Sequence, residues 1–169
     1  MEIINRVKNS GLVTIDLVDF VPTENEIVEI DIKDQLWNGI ALREKEFRDY
    51  IENHDWSTYT DKIVHVYCSE DAIIPPWAYM LLASALHNYA QDVFYGTRVE
   101  FLDQFVLKRI FQLNPADYID ARVVIKGCAK ISNIERAFTA LTQKLRPVAK
   151  SIMYGEPCST VPIYKAPKK

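Results

Sequence analysis

The chain has 169 residues, 49% of them hydrophobic and 25% charged, with a net charge of −3. That composition suits a globular domain with a core of its own and offers no global basic field for nucleic acid or an anionic membrane. Three cysteines, an odd count, argue against a secreted disulfide framework. With no membrane-length apolar run and no signal-peptide pattern at the start, the expected location is cytoplasmic, without membrane association.

Residues 12–17 are β-branched and alternating, and 27–32 alternate apolar with acidic residues, so both read as strands. Pro22, Glu24 and Asn25 between them read as a connection, which predicts an antiparallel hairpin. A charged helix follows over about 40–53, with a thin apolar face of Phe47, Tyr50 and Ile51. Residues 63–67 form a continuous buried-type strand ending in Cys68. Pro75 and Pro76 open a helix over about 77–89 that is apolar nearly all round and is expected to be buried, with Trp77, Tyr79 and Met80 in the core.

A short strand at 93–95 is closed by Gly96. An amphipathic helix over 99–113 places Leu102, Phe105, Val106, Ile110 and Leu113 on one stripe, and Asn114-Pro115 stops it. Residues 122–126 are the next strand, followed by Gly127-Cys128. Ser132 and Glu135 match a capping box, and the helix it opens aligns Ile134, Phe138, Leu141 and Leu145 before Pro147 ends it. Residues 151–154 read as the last strand, closed by Gly155.

Strands and helices alternating at these lengths predict an α/β fold: a mostly parallel sheet with helices on both faces, preceded by an N-terminal antiparallel β-hairpin. The expected organisation is a single α/β domain over 1–169, with the hairpin at 12–33 and two βαβ-like units at 63–96 and 121–155. These two units echo each other: strand, cysteine, helix, strand, then Tyr-Gly. Cys68 precedes Tyr95 by 27 residues (95 − 68) and Cys128 precedes Tyr154 by 26 (154 − 128). Unrelated βαβ units share such spacing too, so the echo alone does not establish a repeat.

Cys68 and Cys128 fall at carboxyl ends of predicted strands, and Cys158 follows a third. In open parallel sheets those ends gather on one edge, where ligands bind. Three thiols on one edge suit a thiophilic metal, with Zn or an iron–sulfur cluster as the cofactor. The expected metal residues are Cys68, Cys128 and Cys158, with Asp71 and Glu156 as neighbouring carboxylates; His54 and His65 are further candidates for a fourth ligand. A cysteine-dependent redox or hydrolytic enzyme is the alternative, with His54 or His65 as base. The phosphatase loop is disfavoured, because Ile74 and Ile134 stand where its arginine belongs. Structural cysteines in a non-catalytic interaction module are the third reading. His65 sits within a buried-type strand and is expected to be a hydrogen-bonded core residue, and Asp55 to make a turn. Five glycines spread over the chain supply no phosphate loop. Trp37 and Tyr164, read as exposed aromatics, would suit a subunit contact in a homo-oligomer.

The runs NHDWS at 53–57, CSEDAIIPPWAYM at 68–80, VIKGC at 124–128 and SIMYGEPCSTVP at 151–162 resemble one family over essentially the whole chain. It is DUF2480, a family of unknown function found in Bacteroidetes. The resemblance transfers no activity and no catalytic residue. It implies a link to iron–sulfur cluster assembly, with assembly proteins as partners.

Overall fold

The computed structural model describes residues 12–127 and 129–167. The chain divides into two compact units, one built from residues 1–21 and 103–169, the other from 22–102. The first holds β1 (Leu12–Asp16), β7 (Arg122–Lys126), α4 (Ile134–Leu145), β8 (Ser151–Glu156) and β9 (Ser159–Lys165). The second holds β2 (Ile27–Asp31), β3 (Leu36–Trp37), β4 (Ala41–Leu42), α1 (Glu44–Asn53), β5 (Ile63–Tyr67), α2 (Pro76–Leu86) and β6 (Asp92–Tyr95). Helix α3 (Arg98–Gln112) runs from the second unit into the first.

The fold is α/β, with sheets that are mostly parallel. In the 22–102 unit the order is β2-β5-β6, all parallel. Ile63, Val64, His65 and Val66 are all buried, as a central strand covered on both faces requires. In the other unit the order is β1-β7-β8-β9, parallel except for the β8–β9 hairpin.

The strands expected near 12 and 27 are present, but they do not form the N-terminal hairpin. β1 pairs in parallel with β7, and β2 with β5. Local alternation specifies that a segment is a strand and which face it buries, not which strand it joins. The connection is occupied by two 3-10 turns, Leu17–Phe20 and Glu24–Glu26.

Each unit has a core of its own. In one, Ile15, Val106, Ile110, Val123, Ile125, Leu141, Leu145 and Ile152 cluster. In the other, Ile30, Phe47, Trp56, Val64, Val66, Ala78, Leu82 and Leu86 do. Helix α2 is one-sided rather than buried all round: Ala78, Leu82 and Leu86 face the core, while Met80 is 71% exposed. The expected Ser132–Glu135 capping box does not form, because α4 starts after Asn133, with no side-chain cap. The same motif does form at Thr23–Glu26 and at Thr97–Glu100.

The two units repeat one plan. Tyr154 follows Tyr95 by 59 residues (154 − 95), and the same offset relates a series of features. Asp61 and Asp120 both adopt positive φ, 59° and 56°. Gly96 and Gly155 adopt φ of 121° and 116°. The Asp61 amide donates to Tyr89 and the Asp120 amide to Val148, both at 3.0 Å. Asp55 caps the turn at Ser57, and Asn114 the turn at Ala116. The rings of Tyr79 and Tyr95 lie 5.1 Å apart, as do those of Phe138 and Tyr154. The echo is therefore a structural repeat. Its register sets Cys68 against Gly127, one residue short of Cys128.

Candidate functional site

Strand β5 delivers Cys68 to the carboxyl edge of its sheet, as the sequence implies. The thiol is half-buried. It lies on the wall of a cleft of about 480 Å³, shared with Glu70, Ile74, Tyr79, Tyr95 and Thr97. The loop bearing it is tied to β2: the Asp31 carboxylate accepts the Ser69 amide at 3.1 Å and the Lys33 amide at 3.1 Å. Burial is the largest single influence on Asp31 and pushes its carboxyl up. Hydrogen bonds from Ser69 and Lys33 together outweigh it and hold the pKa below the usual carboxylate range.

Part of the lining is aromatic. Burial pushes the Tyr79 phenol up, and the neighbouring Cys68 and Tyr95 add to the shift. Tyr79 and Tyr95 pack against each other at a tilt, their ring centroids 5.1 Å apart. The floor continues into Gly96, Thr97 and the first turn of α3. There Glu100 accepts the Thr97 amide at 2.7 Å and the Thr97 hydroxyl at 2.9 Å. Those bonds hold the Glu100 carboxyl below its ordinary value. Tyr79 was expected in the core; it is half-buried and lines the site instead. The sequence signal for the cleft's floor was available in Thr97-x-x-Glu100, a capping-box spacing directly after Tyr95-Gly96.

The histidines make other partnerships. His65 is buried, its ring stacked between Tyr67 and Phe101. Its Nε2 donates to the Gly96 carbonyl at 2.9 Å, since a carbonyl only accepts, and Nδ1 faces Glu29 at 3.3 Å. It is the hydrogen-bonded core histidine that the strand pattern predicts. His54 Nε2 meets the Tyr59 hydroxyl at 3.2 Å within an aromatic cluster that includes Tyr50 and Trp56. Burial, with Tyr59 and Asp34 nearby, pushes the Tyr50 phenol up to about 12. Neither ring has a hydrogen bond to the Cys68 thiol among the described residues.

Of the other expected metal residues, Cys158 is exposed and occupies, with Pro157, the two-residue turn of the β8–β9 hairpin. Gly155 shapes that hairpin: at φ 116° a Cβ would lie 2.6 Å from the Ser159 carbonyl oxygen. Glu156 is exposed and paired with Lys126 at 3.1 Å. Asp71 is exposed on the loop after Cys68. Cys128 lies outside the described residues. Cys68 and Asp71 belong to the 22–102 unit, Cys158 and Glu156 to the other. Among the described residues no three His, Cys, Asp or Glu side chains are grouped to hold a metal ion. No described helix is long and apolar enough to cross a membrane. Trp37 is exposed under the Arg43 guanidinium, whereas Tyr164 packs partly buried against the core of its unit.

No curated protein and no solved structure matches the chain. The resemblance carried by the cysteine-containing runs does hold over its full extent: residues 1–166 match the family described as "Protein of unknown function (DUF2480)", and the chain belongs to it.

Proposed function

We propose that this protein is a non-catalytic interaction module whose principal binding surface is the Cys68 cleft and its apolar surround. The cleft carries the reading. It is concave, walled by tyrosines, and lies at the sheet edge where α/β proteins bind ligands. Beside it the chain exposes large apolar side chains: Ile73 is 79% exposed, Met80 71% and Tyr95 61%. Ile40, 61% exposed, is held beside Ile73 by the Ile73 amide bond to its carbonyl. Tyrosine and methionine are enriched at the centres of protein interfaces, and clustered exposed apolar groups mark them. The occupant expected is an apolar or aromatic side chain of a partner protein.

The test places a photo-crosslinker at Ile73 or Met80 in cells, with Phe111 of the other unit as control position. A single partner captured from the first two positions, bound stoichiometrically when purified, and released by Met80→Asp supports the reading. Equal capture at all positions, or binding untouched by Met80→Asp, overturns it.

A second reading is a thiophilic metal or iron–sulfur site served by Cys68, Cys128 and Cys158, in an accessory role in cluster assembly. The placement of Cys68 at a strand's carboxyl end and of Cys158 in the turn after β8 favours it. Anaerobic purification with metal and acid-labile sulfide analysis tests it. Stoichiometric metal lost in Cys68→Ser supports it; neither metal nor sulfide, with thiol titre unchanged by chelation, sinks it.

A further inference from the structure

At the opposite edge of the other sheet lies a cavity of about 810 Å³, lined by Asp120, Arg122, Lys150, Ser151, Lys165 and two apolar residues of the C-terminal segment. Arg122 and Ser151 open β7 and β8, and Lys165 closes the antiparallel β9, so the strand ends converge on one rim. The backbone there is knitted tightly: the Lys150 amide donates to Ala121 at 2.8 Å, and the Ala166 amide to Lys150 at 2.9 Å. The three cations are therefore held on a fixed frame. Arg122, Lys150 and Lys165 make no ion pair or side-chain hydrogen bond among the described residues. Asp120 is the one carboxylate among the lining residues.

The sister unit supplies the control. Its backbone makes the same bonds, Asp61 to Tyr89 and Gln91 to Lys62. At the positions of Arg122, Lys150 and Ser151 it carries Ile63, Gln91 and Asp92, and Ile63 is fully buried. Its Lys62 is occupied by the Asn25 carbonyl at 3.1 Å. The architecture thus needs no cations at this edge. One unit has gathered three there, in a chain whose net charge is −3.

From this convergence we infer that the cavity at the β7–β8–β9 rim binds a small molecule through a group of two or three linked phosphates. Three cations against one carboxylate leave a surplus that matches such a group, and guanidinium and ammonium donors form charge-assisted bonds to its oxygens. The volume falls within the range of small-molecule sites. The described lining has no aromatic ring to stack a base, so the phosphates are what is recognised.

The experiment is calorimetric titration of the full chain with inorganic triphosphate, pyrophosphate and citrate. A parallel arm measures sedimentation with vesicles carrying phosphatidylinositol bisphosphate, which separates a free ligand from a lipid headgroup. Saturable triphosphate binding is expected, weakening as salt rises. Each of Arg122→Gln, Lys150→Gln and Lys165→Gln should weaken it about three- to tenfold, and Lys62→Gln in the sister unit should not. Hydrogen exchange on the unaltered chain should slow at 120–122, 150–151 and 165–167 on adding triphosphate, a readout that does not depend on any variant folding. Binding by the vesicles alone, whose headgroup carries separate monoester phosphates and no linked group, also overturns the inference. No saturable binding in either arm, citrate binding as tightly as triphosphate, or full affinity in the triple variant overturns the inference.

Discussion

Replacing Asp31 by alanine should loosen the loop that presents Cys68. The side chain is 13% exposed and accepts the Ser69 and Lys33 amides; its ion pair with Lys33 is 3.5 Å long. Lys33 is 45% exposed, so the ion pair contributes little. The two amide bonds end on exposed residues, which water can serve after the substitution, so each is taken at about 1 kcal/mol, the value of an ordinary hydrogen bond and below that usual for a charged acceptor. The expected loss is about 2 kcal/mol, comparable to removing a strong helix cap. With a urea slope near 1.2 kcal/mol per molar for a unit of this size, the midpoint should fall by roughly 1.7 M. All three tryptophans, Trp37, Trp56 and Trp77, lie in the 22–102 unit, so their fluorescence reports on that unit. Alkylation of Cys68 should accelerate while the exposed Cys158 reacts as before. The pH dependence carries the same sign. A carboxyl lowered from 3.8 stabilises the unit above that value, and the contribution is lost as pH falls through the folded pKa. Asp31→Asn should flatten that acid limb. A midpoint within about 0.4 M of the parent (some 0.5 kcal/mol), with Cys68 alkylation unchanged, would refute the reasoning.

Three further outcomes are expected. Gly155→Ala forces positive φ on an L-residue and drives its Cβ into the Ser159 carbonyl, so it should destabilise the β8–β9 hairpin by about 2 kcal/mol, seen as faster hydrogen exchange over 151–165. His65→Phe keeps the stacking on Tyr67 and Phe101 but leaves the Gly96 carbonyl unpaired, which should cost about 1–2 kcal/mol by tryptophan-monitored denaturation. Glu156, by hydrogen bond and charge, and then Asp16 raise the Lys126 pKa above 10.5. That support is complete below 10.5 and disappears as pH climbs through the raised value, so hydrogen exchange of β8 should steepen there in the parent and not in Lys126→Met.

What the sequence disclosed follows from which forces are local. Strand β5 was legible because a run of β-branched apolar residues between polar flanks has few other readings. Leu141 and Leu145 on α4 were legible from helical spacing, and both are fully buried. β9 was missed because Pro162 argues against a strand; an edge strand tolerates it, since it has one side free of hydrogen bonds. The capping-box motif fits Ser132 locally, but the helix begins one residue later. The site divides the same way. That Cys68 ends a strand could be read directly. The cleft depends on Tyr79 and Tyr95 meeting, and they come from α2 and β6, whose packing no local pattern records.

The repeat places a glycine where the cleft has its thiol. Gly127 occupies the register position of Cys68, and a Cβ there would lie 3.2 Å from Ile134 Cδ1 and 3.5 Å from the Phe138 ring. The corresponding residues of the 22–102 unit are less intrusive: Phe138 is matched by Tyr79, whose ring tilts against Tyr95 and leaves the cleft open. One unit thus places a thiol on a cleft wall at this position, while in the other a glycine lies close beneath Ile134 and Phe138. Gly127→Cys makes the contrast measurable. Overpacking should destabilise its unit by about 1–3 kcal/mol, since the Ile134 methyl must give way and the Phe138 ring packs against Tyr154. The introduced thiol should alkylate more slowly than Cys68. A variant as stable as the parent by far-UV circular dichroism melting, with a thiol as reactive as Cys158, would show that the space is open in both units and that the asymmetry argued from Gly127 is absent.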